Sequence, residues 1–472
     1  APDALYRAQP LLAVRAAEAR AWLGDFSSAD TLLDQVEEQG TPAERSVLGY
    51  AAALRTRIAV FRNESAAAVA HGQRAVELLP ADDTSARASA LVELGSAQLL
   101  AGQLDEADKL LQEALTLAKQ ANARAEEWTA LLRLARLERR RGRLRSAAAY
   151  LQSVLDATTE LRVMSRTGAE YRLGALKLEW NQLDEAEAHV ERAIGLDDRT
   201  TGRRLLGLWL WRVRADLLSA RGDFGGALAA LEHAAREAQR VRNIPELRRI
   251  RAATANIWIR TGDLVAARDW ATQVSAETDE ARPDNGSGRD DELLVRARLH
   301  LAEGAPARAI ELLRTPLATA EAAGLVGDSV RFLVVVAVAY EQSGNRGRAI
   351  SVLERALDLA EPGGYVRTFL DEGPSMISLL RAHRPTRAYV TRLLGTDADE
   401  RPVGAVIEGA PSQRELEVLR LIAAGLDNAE IAERLVISVN TVKSHIHHLM
   451  NKLDTSNRMQ LAARGRELHL VP

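Results

Sequence analysis

The stretch GQLDEADKLLQEAL, residues Gly102–Leu115, returns in altered form as NQLDEAEAHVERAI, residues Asn181–Ile194. In both, a residue that tolerates left-handed backbone is followed five positions later by alanine, within an apolar pattern of helical period. The same signature falls at Gly24/Ala29, Asn63/Ala68, Gly102/Ala107, Gly142/Ala147, Asn181/Ala186, Gly222/Ala227, Gly262/Ala267, Gly304/Ala309 and Gly344/Ala349. Successive anchors lie 39 to 42 residues apart. Seven residues before each anchor stands a small residue: Ala17, Thr56, Gly95, Ala135, Gly174, Ala215, Ala255, Ala297 and Ala337. The pattern predicts nine helix–turn–helix pairs, closed at Gly or Asn, with small residues where the two helix axes cross. One pair cannot bury both its faces, so successive pairs stack into a right-handed superhelix with a continuous core.

Composition agrees. The chain has 472 residues, 47% of them hydrophobic but only 4% aromatic, which suits helix packing built on Ala and Leu. It has no cysteine, which excludes disulfides, thiolate zinc sites and cysteine nucleophiles. The apolar run RFLVVVAVAY, Arg331–Tyr340, is about half the length needed to span a bilayer, so no membrane partner is expected and a cytoplasmic location is. The opening segment APDALYRAQPLLAVRAAEAR spreads arginine through a helical pattern and does not read as a secretion signal. It also lacks an initiating methionine, as a piece of a longer protein would.

The repeated segments resemble tetratricopeptide repeats, although their period of about 40 exceeds the roughly 34 residues of that unit, so longer helices are expected. The expected fold is therefore all-α: a tetratricopeptide-like superhelix over residues 1–361, terminal helices closing it over 362–395, a linker over 396–411 and a small helical domain over 412–472. The acidic stretch Glu277–Glu292 reads as a solvated connector. Arginines gather on the first helices of several pairs. If those helices line the concave wall, Arg133, Arg136, Arg214, Arg296 and Arg298, with Trp211 as a stacking surface, are candidates for binding a small-molecule or protein effector, by way of an anionic ligand or an acidic segment. Ordinary surface arginine, and aromatics that simply fill helix crossings, are the plainer alternative.

After the ninth pair the pattern stops. GTDADERPVGAVIEGAP, Gly395–Pro411, is short of large apolar residues and rich in Gly, Pro and acids, as linkers are. Beyond it, Ser412–Glu415 and Asp427–Glu430 have capping-box spacing, and Ser438 stands where it can cap a third helix. Only Val436–Ser438 separates the second helix from the third, the short turn of a helix-turn-helix. On the third helix Val442, Ile446, Leu449 and Leu453 make one apolar stripe, and Lys443, His447 and Asn451 make a polar one beside Ser444 and His448. The overall charge of −3 hides a local bias: residues 439–466 carry five Lys and Arg against the one acid Asp454. Such a face can enter a major groove while flanking cations meet phosphates. His445, His447 and His448 have no thiol or carboxylate set to complete a metal site, and no metal or cofactor is expected in this chain.

Residues Ser412–Val471, and the run NAEIAERLVISVNTVKSH above all, resemble the LuxR-type DNA-binding domain. That resemblance implies four helices, the third reading bases. By position it makes Lys443, Ser444 and His447 base-facing and Thr441 a phosphate contact, with Asn440, Asn451 and Lys452 completing the DNA-binding set. It also implies a fourth helix that pairs two domains through Asn457, Arg458 and Leu461. With RTFLDEGPSMISLLRAHR, Arg367–Arg384, and the array, the resemblance widens to large MalT-like transcriptional regulators. In that family an ATPase module precedes the superhelix; no GxxxxGK loop occurs in this chain, so that module is expected to be absent and no enzymatic activity is expected here. The implied function is a sequence-specific regulator, an activator, whose helical region senses an effector and controls oligomerisation. Promoter DNA, a second copy of the chain and RNA polymerase are its implied partners. A protein-interaction scaffold with secondary DNA binding is the alternative.

Overall fold

The computed structural model describes residues 5–6, 9–39, 45–158, 163–198, 206–279, 287–383, 387–399, 413–435, 439–453, 455 and 457–467. All regular structure among them is α-helical. The first nine helices are α1 (Pro10–Trp22), α2 (Phe26–Gln39), α3 (Arg45–Phe61), α4 (Ser65–Leu78), α5 (Thr84–Leu100), α6 (Leu104–Gln120), α7 (Arg124–Arg140), α8 (Leu144–Ala157) and α9 (Val163–Glu179). The next nine are α10 (Leu183–Asp198), α11 (Gly207–Ala220), α12 (Phe224–Arg240), α13 (Ile244–Thr261), α14 (Leu264–Asp279), α15 (Ser287–Ala302), α16 (Pro306–Ala322), α17 (Val326–Gln342) and α18 (Arg346–Ala360). They form nine consecutive pairs, each joined at one of the nine anchors.

Every anchor has positive φ, from 58° at Asn181 to 83° at Gly262, so the Gly/Asn preference is a backbone requirement of the turn. The alanine five residues later packs against the partner helix: Ala29, Ala68, Ala107, Ala186, Ala227, Ala267, Ala309 and Ala349 are wholly covered, and Ala147 is nearly so. A larger side chain there would hold the helix axes apart. Pro316 lies within α16 without ending it.

The array curls until pairs about five apart meet. A Cβ on Gly142, in the turn of the fourth pair, would stand 2.5 Å from Val326 at the start of the ninth, and one on Gly24 would stand 2.9 Å from Val241 at the end of the sixth. Across the same seam the Trp180 indole N–H donates to the Gly363 carbonyl at 2.9 Å. The first helices α7 and α17 touch each other, so the first helix of each pair forms the inner layer. Three short helices, α19 (Arg367–Leu370), α20 (Pro374–Ala382) and α21 (Ala388–Asp399), continue the main core through Phe369, Met376, Leu379, Tyr389 and Leu393.

Two expectations are corrected here. The acidic stretch is not all connector: α14 runs to Asp279 and α15 begins at Ser287, placing Asp290, Asp291 and Glu292 on an inner helix. Arginines of neighbouring helices receive Asp291 and Glu292, which is why so acidic a segment can fold inward. The last closing helix, expected to end by residue 395, continues to Asp399, into the expected linker. Residues 400–412, with the Ser412 cap, lie outside the described residues, as does Ser438.

The chain divides into two compact units, Ala1–Asp399 and Glu400–Pro472. The second holds α22 (Gln413–Ala423), α23 (Asn428–Leu435), α24 (Val439–Lys452) and α25 (Arg458–Glu467) around Val418, Leu419, Ile422, Ile431, Val442, Leu449 and Leu461. The capping box at its second helix forms: Asp427 Oδ1 accepts from the Ala429 and Glu430 N–H groups at 2.8 and 2.9 Å, and the Asp427 N–H donates to Glu430 Oε2 at 2.7 Å.

Candidate nucleic-acid interface and concave wall

In the C-terminal unit the apolar stripe of α24 settles which face remains outside. Val442 and Leu449 are fully buried, and Ile446 and Leu453 nearly so. Lys443, next in sequence to buried Val442, is exposed. Asn440, Thr441, Ser444, His447, Asn451 and Lys452 lie on the same helix, but their side chains fall outside the described residues. The expected dimerisation residues are placed differently. Leu461 is wholly buried in this unit's own core, so it offers nothing to a second domain. Arg458 is part-buried and donates to Asn428 Oδ1 at 2.7 Å and to the Leu426 carbonyl, bracing α25 against the α22–α23 turn. Asn457 is exposed and caps α25, its Oδ1 accepting from the Gln460 N–H at 2.9 Å. Of the three, Leu461 is closed off within its own domain, Arg458 is tied to it, and Asn457 stays exposed.

In the array, position relative to the anchor decides what an arginine meets. Eight residues before the anchor, the side chain turns to the second helix of the preceding pair: Arg55 meets Asp34 at 2.5 Å and Glu37 at 3.0 Å, and Arg214 meets Glu191 at 3.1 Å. Arg296 shares that register. Six and nine residues before the anchor, the side chain faces the inner helices of neighbouring pairs. Arg57 there bridges Glu18 at 3.2 Å and Glu93 at 2.7 Å, tying three consecutive pairs.

The expected effector residues therefore separate. Trp211 stacks on His233, ring centroids 4.2 Å apart, with the Arg214 guanidinium 5.2 Å over its ring, so both are used within the array. Arg298 donates to Glu372 from Nε at 3.0 Å and to Asn256 at 3.3 Å, fastening the eighth pair to the closing helices. Arg133 and Arg136 remain on the inner wall without a carboxylate partner among the described residues.

The sequence reading passed over a buried ladder on the same wall. Glu246 accepts from Arg212 at 2.9 Å and from Arg249 at 2.8 Å; Asp291 lies 3.4 Å from Arg249 and is bonded by Arg331. Burial raises the Glu246 carboxyl and its two arginines more than offset that, holding it below the usual carboxylate range. The sequence reading also passed over Arg172. The register could have found both, because Arg172 stands nine residues before its anchor as Arg133 does, and Arg249, Asp291 and Arg331 all stand thirteen before theirs.

An inner layer of repeated helix pairs joined in one chain to a four-helix unit with a short second-to-third turn defines a helical-repeat protein with a helix-turn-helix module. Residues 49–385 match the family described as MalT-like TPR region, and residues 412–464 match bacterial regulatory proteins of the luxR family. The chain belongs to the MalT-like, LuxR-family regulators. Similar curated proteins include the HTH-type transcriptional regulator MalT of Klebsiella pneumoniae, 25% identical over 95% of this chain and 53% of its own length. The protein of the same description from Vibrio campbellii is 24% identical with the same coverage. The chain thus spans about half the length of the curated relatives it matches. Among solved structures, a Rap protein complexed with competence and sporulation factor aligns with 75% of this chain and 97% of its own, at a TM-score of 0.56 and 13% identity, a likeness of fold alone.

Proposed function

We propose that this chain is the sensing and DNA-binding portion of a transcriptional activator. The third helix of the C-terminal unit enters the major groove of promoter DNA, and the superhelix takes an effector or partner that controls self-association. The observation that carries the reading is α24 itself: a helix held by a buried apolar stripe, presenting Lys443 outward, in a domain matched as luxR family. Its curated relatives are described as HTH-type transcriptional regulators, which supports a cytoplasmic regulator for the whole protein. No helix among the described residues is long and apolar enough to cross a membrane.

The test is DNA binding by the chain against genomic fragments it selects, titrated with salt. Lys443→Ala is expected to weaken the selected sites by about 1–3 kcal/mol if the lysine reads a base edge. Affinity that ignores both salt and this substitution overturns the assignment.

A further inference from the structure

We propose that the concave wall of the fourth and fifth pairs is a binding site for a small ligand bearing phosphate or carboxylate groups, held by the guanidinium groups of Arg133, Arg136 and Arg172. The inference rests on the sensing role proposed above and names the chemistry of what is sensed. It begins from an imbalance. Elsewhere on this wall arginines are met by carboxylates, as Arg57 is by Glu18 and Glu93, and Arg331 by Asp291. At Arg133, Arg136 and Arg172 of the fourth and fifth pairs they are not, among the described residues. Arg133 Nε is buried with no acceptor in reach. Among the described residues Arg136 has no hydrogen bond or ion pair, and the Arg172 guanidinium is engaged there only by the Gly168 carbonyl at 2.7 Å and the Tyr171 ring at 4.5 Å.

Glu93, on the third pair, is held by Arg57 through Oε1 at 2.7 Å, and its buried Oε2 makes no hydrogen bond to any of the three arginines. In the register of Arg136 the third pair offers Ser96, whose hydroxyl donates to the Val92 carbonyl at 2.7 Å, and the fifth offers Ala175. Like charges therefore act on one another. Burial, then Arg133, Arg140, Arg249 and Arg139, push the Arg136 guanidinium well below its usual value. Burial, with Arg133 and Arg139 adding and Tyr171 opposing, also pushes Arg172 down. Bringing several guanidinium groups together without counter-charge costs stability, and a ligand with paired anionic oxygens relieves it through bidentate, charge-assisted hydrogen bonds.

The dimensions favour a small molecule. Arg133, Arg136 and Arg172 occupy two adjacent pairs, flanked by the Arg57–Glu93 and Arg212–Glu246 ion pairs, a span that suits a small ligand.

The test uses the full chain with pyrophosphate and with citrate as probes, sodium chloride balancing ionic strength. Calorimetric titration and the thermal midpoint are read together. Saturable binding and a raised midpoint are expected. The Arg133→Gln/Arg136→Gln double variant, and separately Arg172→Gln, should each weaken binding roughly 10- to 100-fold, with Arg296→Gln, outside this register, unchanged. No saturable binding of either probe, equal midpoint shifts in the double variant and the parent, or binding of a polyglutamate peptide in place of both probes would each overturn the site. Salt-dependent DNA binding is measured on the same preparations. If it persists while anion binding fails, the site falls and the regulator reading stands.

Discussion

From α11 to α17 the arginines of the concave wall are met by acids: Arg212 and Arg249 by Glu246, then Arg249 and Arg331 by Asp291. On α7 and α9 of the same wall, at other register positions, Arg133, Arg136 and Arg172 have no acid bonded to them among the described residues. Both stretches stand on the same repeated backbone, with the same left-handed anchors and the same buried alanines. What differs is whether the charge is closed within the protein. A closed ladder holds neighbouring pairs in one arrangement, and an open cluster leaves part of the wall to be completed from outside. One repeat architecture thus supplies both a brace and a vacancy for a ligand, by the choice of residue at a few register positions.

The largest effect should come from breaking the brace. Glu246 is 1% exposed, and its two oxygens receive Arg212 and Arg249 at 2.9 and 2.8 Å. Glu246→Gln removes the charge and leaves two guanidinium groups facing a neutral amide. Breaking a buried pair costs about 3–5 kcal/mol; both arginines keep part of their surface in water, so roughly 2–4 kcal/mol is expected, read as a lowered thermal midpoint. The carboxyl is held below its ordinary value, so its contribution is full above that ordinary value and is lost as pH falls through the depressed one. The gap between parent and variant should therefore close in acid. A gap that stays constant with pH would show that the ladder is packing and not charge.

On the open side the sign reverses. Arg136→Met keeps the stem's apolar contact and removes a charge that burial and four neighbouring arginines disfavour. A gain of about 1 kcal/mol in stability without ligand is expected, seen as a raised thermal midpoint. A loss of that size would mean that a partner of Arg136 exists in solution and that the two stretches are alike.

Much of this architecture was legible in the chain. The anchors, the alanines after them and the capping box at Asp427 are local requirements of backbone geometry and close approach, which leave a residue-by-residue trace. The luxR-type module was legible for the same reason, its helices being short and two of them capped at Asp427 and Asn457. The concave wall was only half legible. Arg133 and Arg136 stood out as arginines on first helices, but so did Arg214 and Arg298. Which of them meets an acid depends on residues far away in sequence, such as Arg298 on Glu372. Leu461 was misplaced for a related reason: an apolar residue on a terminal helix fits either a dimer face or the domain's own core, and only the packing of α25 on α22 decides. The inward turn of Asp291 was hidden because an acidic run next to Pro, Gly and Asn reads as loop until Arg331 and Arg249 are seen across from it.

A third arrangement tests whether the comparison is about charge in general or about arginine. Glu179 closes α9 at the same seam, but its partners carry no charge: Oε1 accepts from the Val366 N–H at 3.2 Å and the Thr368 N–H at 3.0 Å, and the Thr368 side chain also bonds the carboxyl, pinning the closing segment to the fifth pair. Burial, aided by Asp371 and opposed by those N–H groups and the Thr368 side chain, pushes its carboxyl up to about 7. The folded value lies above the unfolded one of about 4.3, so its contribution to stability is full below about pH 4 and is lost as pH rises through 7. Part of the side chain remains in water, which reduces the full linkage value to roughly 1–2 kcal/mol. Glu179→Gln keeps an oxygen for both N–H groups and does not titrate. The fall in thermal midpoint between pH 5 and pH 8 should therefore be smaller in the variant, though not abolished, because Asp216 and Asp290, pushed up to about 6 chiefly by burial, titrate in the same direction. Equal slopes in parent and variant would mean that Glu179 is ionised throughout. The seam would then be held by a charge-assisted cap, and neutral carboxyl and paired carboxylate would no longer be two separate ways of closing this wall.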